Sequence, residues 1–157
     1  MSKLKGGIPI KEAQKVANEV LSKISGKALI CGSVRRELDY VGDVDIVAIY
    51  SADLVSELMR MGFIIKNAVA EVIMSRVPVS VYFAKEDNWG STILHFTGSK
   101  ELNIIMRSHA KRKGMMLNQY GLFRGGICIA SKTEEEIFEK LGYTYLDPKD
   151  RSKTLKE

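Results

Sequence analysis

The stretch Ala28–Tyr50, ALICGSVRRELDYVGDVDIVAIY, decides the fold. Its first residues, Ala28 to Cys31, form a short apolar run between Gly26-Lys27 and Gly32, which is the pattern of a buried strand. Gly32-Ser33 breaks the run, Val34 to Leu38 has room for about one helical turn, and a second strand spans Asp43 to Ile49. Side chains alternate along a strand, so Asp43 and Asp45 share one face while Val44 and Ile46 share the other. Two carboxylates side by side repel each other unless a cation lies between them. Hard divalent ions such as magnesium take oxygen ligands of this kind. Just upstream, Gly32-Ser33 supplies backbone N–H groups and a hydroxyl, and Arg35-Arg36 supplies guanidinium forks that match phosphate oxygens. Each feature alone is more often structural than functional. Together in one short stretch they describe a phosphate cradle beside a metal-binding carboxylate pair, which suggests nucleotidyl transfer.

Outward from this stretch, Ile8 to Ile24 places Ala13, Val16, Ala17, Val20, Leu21 and Ile24 on one helical face, with Pro9 in the first turn. Ser51 caps a helix through Met61, which Gly62 ends. Phe63–Ile65, Val69–Ser75 and Val77–Ala84 read as three short strands completing a mixed sheet. Pro78 removes a ladder hydrogen bond, so the last strand is expected near an edge or an irregularity. Asp87, Asn88 and Trp89 mark a domain boundary where the pattern turns helical. Asn88 is expected to cap a helix over Trp89–Phe96, with Trp89 as a packing anchor, and Ser99 a helix over Lys100–Lys113. GLFRGGICIA, residues 121–130, reads as a hairpin turning at Gly125-Gly126. Thr133 to Glu136 is a capping box opening a helix to Leu141. LGYTYLDPKDR closes the domain, and SKTLKE is expected to fray.

With 157 residues and 45% hydrophobic content, the chain can bury a core as one compact unit or two subdomains. A formal charge of +5 favours an anionic partner without requiring one. Cys31 and Cys128 lie in apolar segments, as buried free thiols do. Two cysteines give neither a disulfide framework nor a zinc signature, so a reducing compartment is expected. MSKLKGGIPI lacks the apolar core of a signal peptide, and no segment is long enough to span a membrane.

GSVRRELDYVGDVDIVAIY resembles the nucleotidyltransferase signature of the family X DNA polymerases, the family of DNA polymerase beta. The resemblance extends to IPIKEA before it and to HFTGS, MRSHA and LNQYG after it, so it covers nearly the whole chain. The C-terminal part, with NQYGLF and KLGYTY, is especially similar to the two-domain viral members. The implied fold is α/β (α+β): a nucleotidyltransferase palm with a mixed sheet and packed helices over residues 1–87. A smaller, mainly helical domain with a hairpin follows over residues 88–157, selecting the nucleotide and binding DNA. The lyase and DNA-clamp domains of larger members are expected to be absent.

The resemblance also implies roles. Asp43 and Asp45 would be metal ligands and catalytic residues, while Gly32, Ser33, Arg36 and Gly42 would bind the nucleotide. The family's third catalytic aspartate aligns with Ser80 in VPVSVYF. A hydroxyl binds magnesium weakly and is a poor general base, so the second metal lacks its usual carboxylate. Glu86 and Asp87, the nearest acidic substitutes, lie past the strand end. Phe96, Gly98 and Asn103 match the pocket around the incoming nucleotide. His95 stands where the family often has Tyr, and Lys100 where it often has an acid. Arg107, Asn118 and Tyr120 match template-side contacts, and Lys111 and Arg112 would meet DNA phosphates. For this basic run, favourable interaction with the helix dipole is the competing structural explanation. Two magnesium ions are implied, with manganese able to substitute, together with a deoxynucleoside triphosphate and primer-template or gapped DNA. A monomer is expected, intracellular and cytoplasmic, or virion- or nucleoid-associated if viral. The alternatives are a template-independent nucleotidyltransferase and a non-catalytic DNA- or nucleotide-binding module, for which Ser80 is the strongest support.

Overall fold

The computed structural model describes residues 6–152, which divide into two compact units, one up to Ala84 and one from Lys85. Residues 153–157 of the tail expected to fray, and residues 1–5 of the N-terminal stretch, lie outside the described residues.

The first unit runs β1 (Ile8–Pro9), α1 (Ile10–Ser22), β2 (Ala28–Ile30), α2 (Gly32–Arg35), β3 (Tyr40–Val41), β4 (Val44–Ile49), α3 (Ala52–Arg60), β5 (Ile64–Lys66), β6 (Val69–Met74) and β7 (Val77–Ala84). Five strands form a mixed sheet in the order β2-β4-β7-β6-β5, with only the β4–β7 pair parallel. Alternation along these strands sorts the side chains. Val44, Ile46, Ala48, Val79, Val81, Ala70, Val72 and Met74 join the core, into which α1 sends Ala13, Val16, Ala17 and Val20 and α3 sends Leu54 and Leu58. Each fully buried aliphatic side chain contributes about 1.5–3 kcal/mol. The other sheet face carries Asp45, Ser80, Tyr82 and Glu71, none of which belongs to that cluster.

Pro9 does not enter the first helical turn. It extends β1 against Tyr40 and serves as the N-cap of α1, where its fixed φ of −56° suits the last extended residue. Ser51 caps α3 by accepting the Leu54 N–H at 3.0 Å. β7 is central, flanked by β4 and β6, and not at an edge as Pro78 suggested. The proline is tolerated because Val77 pairs with Met74 beside the two-residue turn, which aims the next backbone groups toward β4. Pairing with β4 begins only at Val79, so the missing donor has no acceptor to satisfy.

The second unit opens with a 3₁₀ turn, Glu86–Asn88, and continues with α4 (Trp89–Thr97), α5 (Lys100–Arg112), β8 (Met116–Asn118), β9 (Gly121–Arg124), β10 (Ile127–Ala130), α6 (Glu134–Lys140) and a final 3₁₀ turn, Pro148–Asp150. Asn88 does not cap α4 through its side chain. Its Oδ1 accepts the Lys85 N–H at 2.9 Å and so closes the preceding turn. Ser99 and Thr133 do cap, accepting the Leu102 and Glu136 N–H groups at 3.2 Å each. The expected hairpin gains a third strand, because β8 pairs with β9. Gly125 and Gly126 make its turn at φ +57° and +80°, a conformation that suits glycine. Cys31 is buried as expected, but Cys128 is exposed, since β10 is the outer strand of a three-stranded sheet.

Leu102, Met106, Ala110, Leu122, Ile137, Phe138 and Leu141 form this unit's core. Arg151 is buried within it at 0% exposure. Its Nη1 donates to Glu134 Oε2 at 2.5 Å and its Nε to the Leu146 carbonyl at 2.9 Å. The guanidinium also lies over the Phe138 and Tyr145 rings, 5.3 and 5.2 Å from their centroids. A buried charge is tolerable only when paired in this way.

Candidate active site

The chemistry-bearing end of the first unit is built at the start of β4. β2 pairs with β4 from Ala28 to Ile30, and the Cys31 N–H extends that ladder by donating to the Asp45 carbonyl at 2.6 Å. On its other side Asp45 pairs in register with Ser80. The Asp45 backbone is therefore held from both flanks, and its half-buried side chain has a fixed origin. Asp43 follows the same alternation and lies just ahead of the strand.

Gly32 opens α2 at φ +59°, a left-handed conformation that disfavours a side chain. Its backbone packs on the Asp45 carboxylate so closely that an added Cβ would lie 2.5 Å from Oδ2. The turn expected to cradle phosphate is thus in contact with the carboxylate expected to hold metal. The first-turn N–H groups of a helix have no intrahelical acceptor and can point at an anion. Ser33, Arg35 and Arg36 are half-buried along this turn, and Gly42 and Asp43 are half-buried at the entry to β4.

The donor chemistry suits one divalent cation. Asp43 and Asp45 offer hard carboxylate oxygens on one face, and oxygens of a bound ligand and water can fill the remaining positions. No group of three or more His, Cys, Asp and Glu side chains forms a metal-sized cluster among the described residues. The side chain beside Asp45 belongs to Ser80, which is 7% exposed and neutral. Glu86 and Asp87 do not enter the sheet: β7 ends at Ala84, and both lie in the turn opening the second unit.

Sequence reasoning missed two residues on this face, Tyr82 and Glu71. Tyr82 follows Ser80 by two positions, and the side chains of the two are hydrogen-bonded. Burial pushes the Tyr82 hydroxyl above its ordinary pKa of 10.0. The charges of Asp45, Asp43 and Glu71 push the same way, while the Ser80 bond opposes them. Glu71 is exposed on β6 and pairs directly with Ser80 across the β6–β7 hairpin.

In the second unit, Asn103, Arg107 and Asn118 of the residues expected around the nucleotide and template line one crevice, whereas Phe96, Gly98 and Tyr120 are not among its lining residues. Ser91, Leu94, His95 and Leu117 complete the lining of this crevice, which has room for about one water molecule. Asn103 Nδ2 donates to the His95 carbonyl at 2.8 Å, and Arg107 Nε to the Asn103 carbonyl at 3.3 Å. The His95 and Phe96 rings meet edge-to-face at 4.8 Å. Burial, reinforced by the Arg107 charge, holds the His95 pKa below its usual 6.5, so the ring is neutral at pH 7. Asn118 Oδ1 accepts the Tyr120 N–H at 2.8 Å, and the Tyr120 side chain is 58% exposed. Gly98, at φ +72°, joins α4 to the Ser99 cap, and the Ser99 N–H donates to the Arg151 carbonyl at 3.3 Å. Lys111 and Arg112 are exposed in the last turn of α5.

Comparison with known proteins matches both units. The family model described as DNA polymerase beta thumb matches residues 92–152. The chain is 30% identical over 151 residues to the Repair DNA polymerase X of an African swine fever virus isolate from a South African tick, covering 85% of this chain and 87% of that protein. It is 30% identical over 156 residues to the protein of the same name from a Kenyan pig isolate, with the same coverage. Similarity to yeast DNA polymerase IV reaches 42% over 71 residues, and there the match takes in 12% of the relative's length. Among the described residues no helix is long and apolar enough to cross a membrane.

Proposed function

The chain belongs to the family X DNA polymerases, and from that premise we propose that it extends a DNA primer by template-directed addition of deoxynucleotides, filling short gaps in repair. The first unit, up to Ala84, acts as the palm, and the second, from Lys85, as the nucleotide-selecting and DNA-binding domain, three residues earlier than the boundary expected at 87/88. The observation that carries the reading is the close approach of Gly32 to the Asp45 carboxylate, which suits a phosphate-cradling turn beside a metal-binding carboxylate.

In this reading the primer 3′-hydroxyl oxygen attacks the α-phosphorus in line. A new O–P bond forms, the bond to the β-phosphate oxygen breaks, pyrophosphate leaves, and the hydroxyl proton passes to solvent. The backbone N–H groups at Gly32 and Ser33, the Ser33 hydroxyl and the Arg36 guanidinium hold the triphosphate. Asp43 and Asp45 would hold the divalent cation, magnesium with manganese as its substitute, whose chemistry is to neutralise the triphosphate and acidify the attacking hydroxyl. Phe96 and Gly98 pack against the incoming sugar and base, and Asn103 reaches the nucleotide's minor-groove edge. Arg107, Asn118 and Tyr120 meet the template side. Lys111 and Arg112 neutralise DNA phosphates.

Primer extension on a one-nucleotide gap, with and without template and with magnesium or manganese, tests the proposal. Extension that depends on template and metal, and that Asp45→Asn abolishes, is the expected result. Template-free addition would move the reading to a terminal nucleotidyltransferase. A second reading, a non-catalytic DNA- or nucleotide-binding module, is favoured by the neutral Ser80 beside Asp45. It predicts nucleotide and DNA binding with no extension under either metal.

A further inference from the structure

Resting on the polymerase reading above, we propose that Glu71 supplies the third carboxylate of the active site, from the strand next to the one on which the family carries it.

The sheet register makes the case. Asp45 pairs with Ser80, and Ser80 pairs with Glu71, so the three side chains stand in one row across β4, β7 and β6. Paired residues on adjacent strands project from the same face. Adjacent strands are about 4.8 Å apart, which places Glu71 and Asp45 on opposite flanks of Ser80 with their Cα atoms about 10 Å apart. A cation held above Ser80 would lie between them. Ser80 is small and neutral, so it brings no competing carboxylate into the middle of the row. Glu71 is one methylene longer than aspartate and is exposed, so a rotamer change can carry its carboxylate toward the middle of the row. That change is required, because the present side-chain positions form no three-ligand cluster.

A carboxylate at Glu71 accounts for an otherwise incomplete donor set. Asp43 and Asp45 suffice for the cation that accompanies the triphosphate. The second cation needs further anionic oxygen, which a serine hydroxyl does not provide. Glu86 and Asp87, in the turn beyond β7, share no register with Asp45.

The test counts ions and measures rate separately. Manganese is titrated by electron paramagnetic resonance into the protein bound to gapped DNA and a non-hydrolysable deoxynucleotide analogue, and single-turnover extension is measured in parallel. The proteins are the parent, Glu71→Gln, Asp45→Asn, and Glu71→Gln combined with Ser80→Asp. Glu71 is exposed, so its isosteric replacement should not alter thermal unfolding. The proposal expects the parent to bind one manganese tightly and a second more weakly. Glu71→Gln should weaken only the second, tenfold or more, and slow extension roughly 10²-fold. Adding Ser80→Asp to Glu71→Gln should restore both. If Glu71→Gln binds both ions and extends as the parent does, the proposal is wrong and the polymerase reading stands. If the parent binds no manganese with the nucleotide and Asp45→Asn changes nothing, the polymerase reading itself fails and this inference fails with it.

Discussion

Replacing Gly32 with alanine separates stability from function at the turn below Asp45. The backbone at Gly32 sits at φ +59°, where an L-residue costs about 1–2 kcal/mol. For a domain of this size that lowers the melting temperature by roughly 2–8 °C. The new methyl would lie 2.5 Å from Asp45 Oδ2 and 3.2 Å from its Cβ, where ordinary contact begins at 3.4 Å. The Cβ belongs to a clamped backbone, so the relief must come from the carboxylate, which swings out by about 1 Å. A misplacement of that size costs roughly 10²-fold in rate. Gly32→Ala should therefore melt only modestly earlier yet extend a primer about 10²-fold more slowly at a temperature where it is fully folded. Gly26→Ala is the control, because no atom lies within 4 Å of its added Cβ. Differential scanning fluorimetry and single-turnover extension read the two effects. A Gly32→Ala protein with an unshifted melt and the parent's rate would refute both the contact and the role given to Asp45.

Three further outcomes are expected. Arg151→Ala leaves Glu134 buried without its charged partner and should destabilise the second unit by about 3–5 kcal/mol in urea titration, while Glu134 and Arg151 replaced together should cost less than the two single changes summed. The His95 pKa lies below its unfolded 6.5, so between these values the unfolded chain binds more protons; stability should fall as pH drops through 6.5, and His95→Asn should flatten that slope in melts between pH 7.5 and 5. Lys111→Ala combined with Arg112→Ala should weaken DNA binding and shrink its salt dependence by about two phosphate contacts, whereas a change confined to thermal stability would assign the pair to the α5 dipole.

The strand–turn–strand stretch was legible because every signal in it is local: a short apolar run, a glycine break, and alternating aspartates. The caps at Ser51, Ser99 and Thr133 were legible for the same reason. The place of β7 was not, because Pro78 argues about one residue's donor, while centrality depends on where a distant strand begins to pair. The strand Met116–Asn118 is short and sits between helix and turn, which gave no period to read. Cys128 lies in as apolar a run as Cys31, but its exposure follows from the strand's position in the sheet. The row of Asp45, Ser80 and Glu71 could have been counted once the turn at Ser75-Arg76 was known. Neither residue is glycine, yet both adopt positive φ, at 50° and 68°, so the usual hairpin signal was missing. That short turn fixes which residue of β6 faces Ser80.

The buried guanidinium of Arg151 has a consequence for synthesis. The first unit ends at Ala84, and among the described residues its core members all lie at or before Phe83. The second unit's buried ion pair forms only when Arg151 reaches Glu134, over the Phe138 and Tyr145 rings. Translation runs at roughly 5–20 residues per second, so for several seconds a folded first unit is tethered to a second whose buried Glu134 still lacks its partner. Nascent-chain proteolysis should find the N-terminal half protected well before the rest. A chain stalled just short of Arg151 should be a substrate for chaperones, while one released beyond it should not.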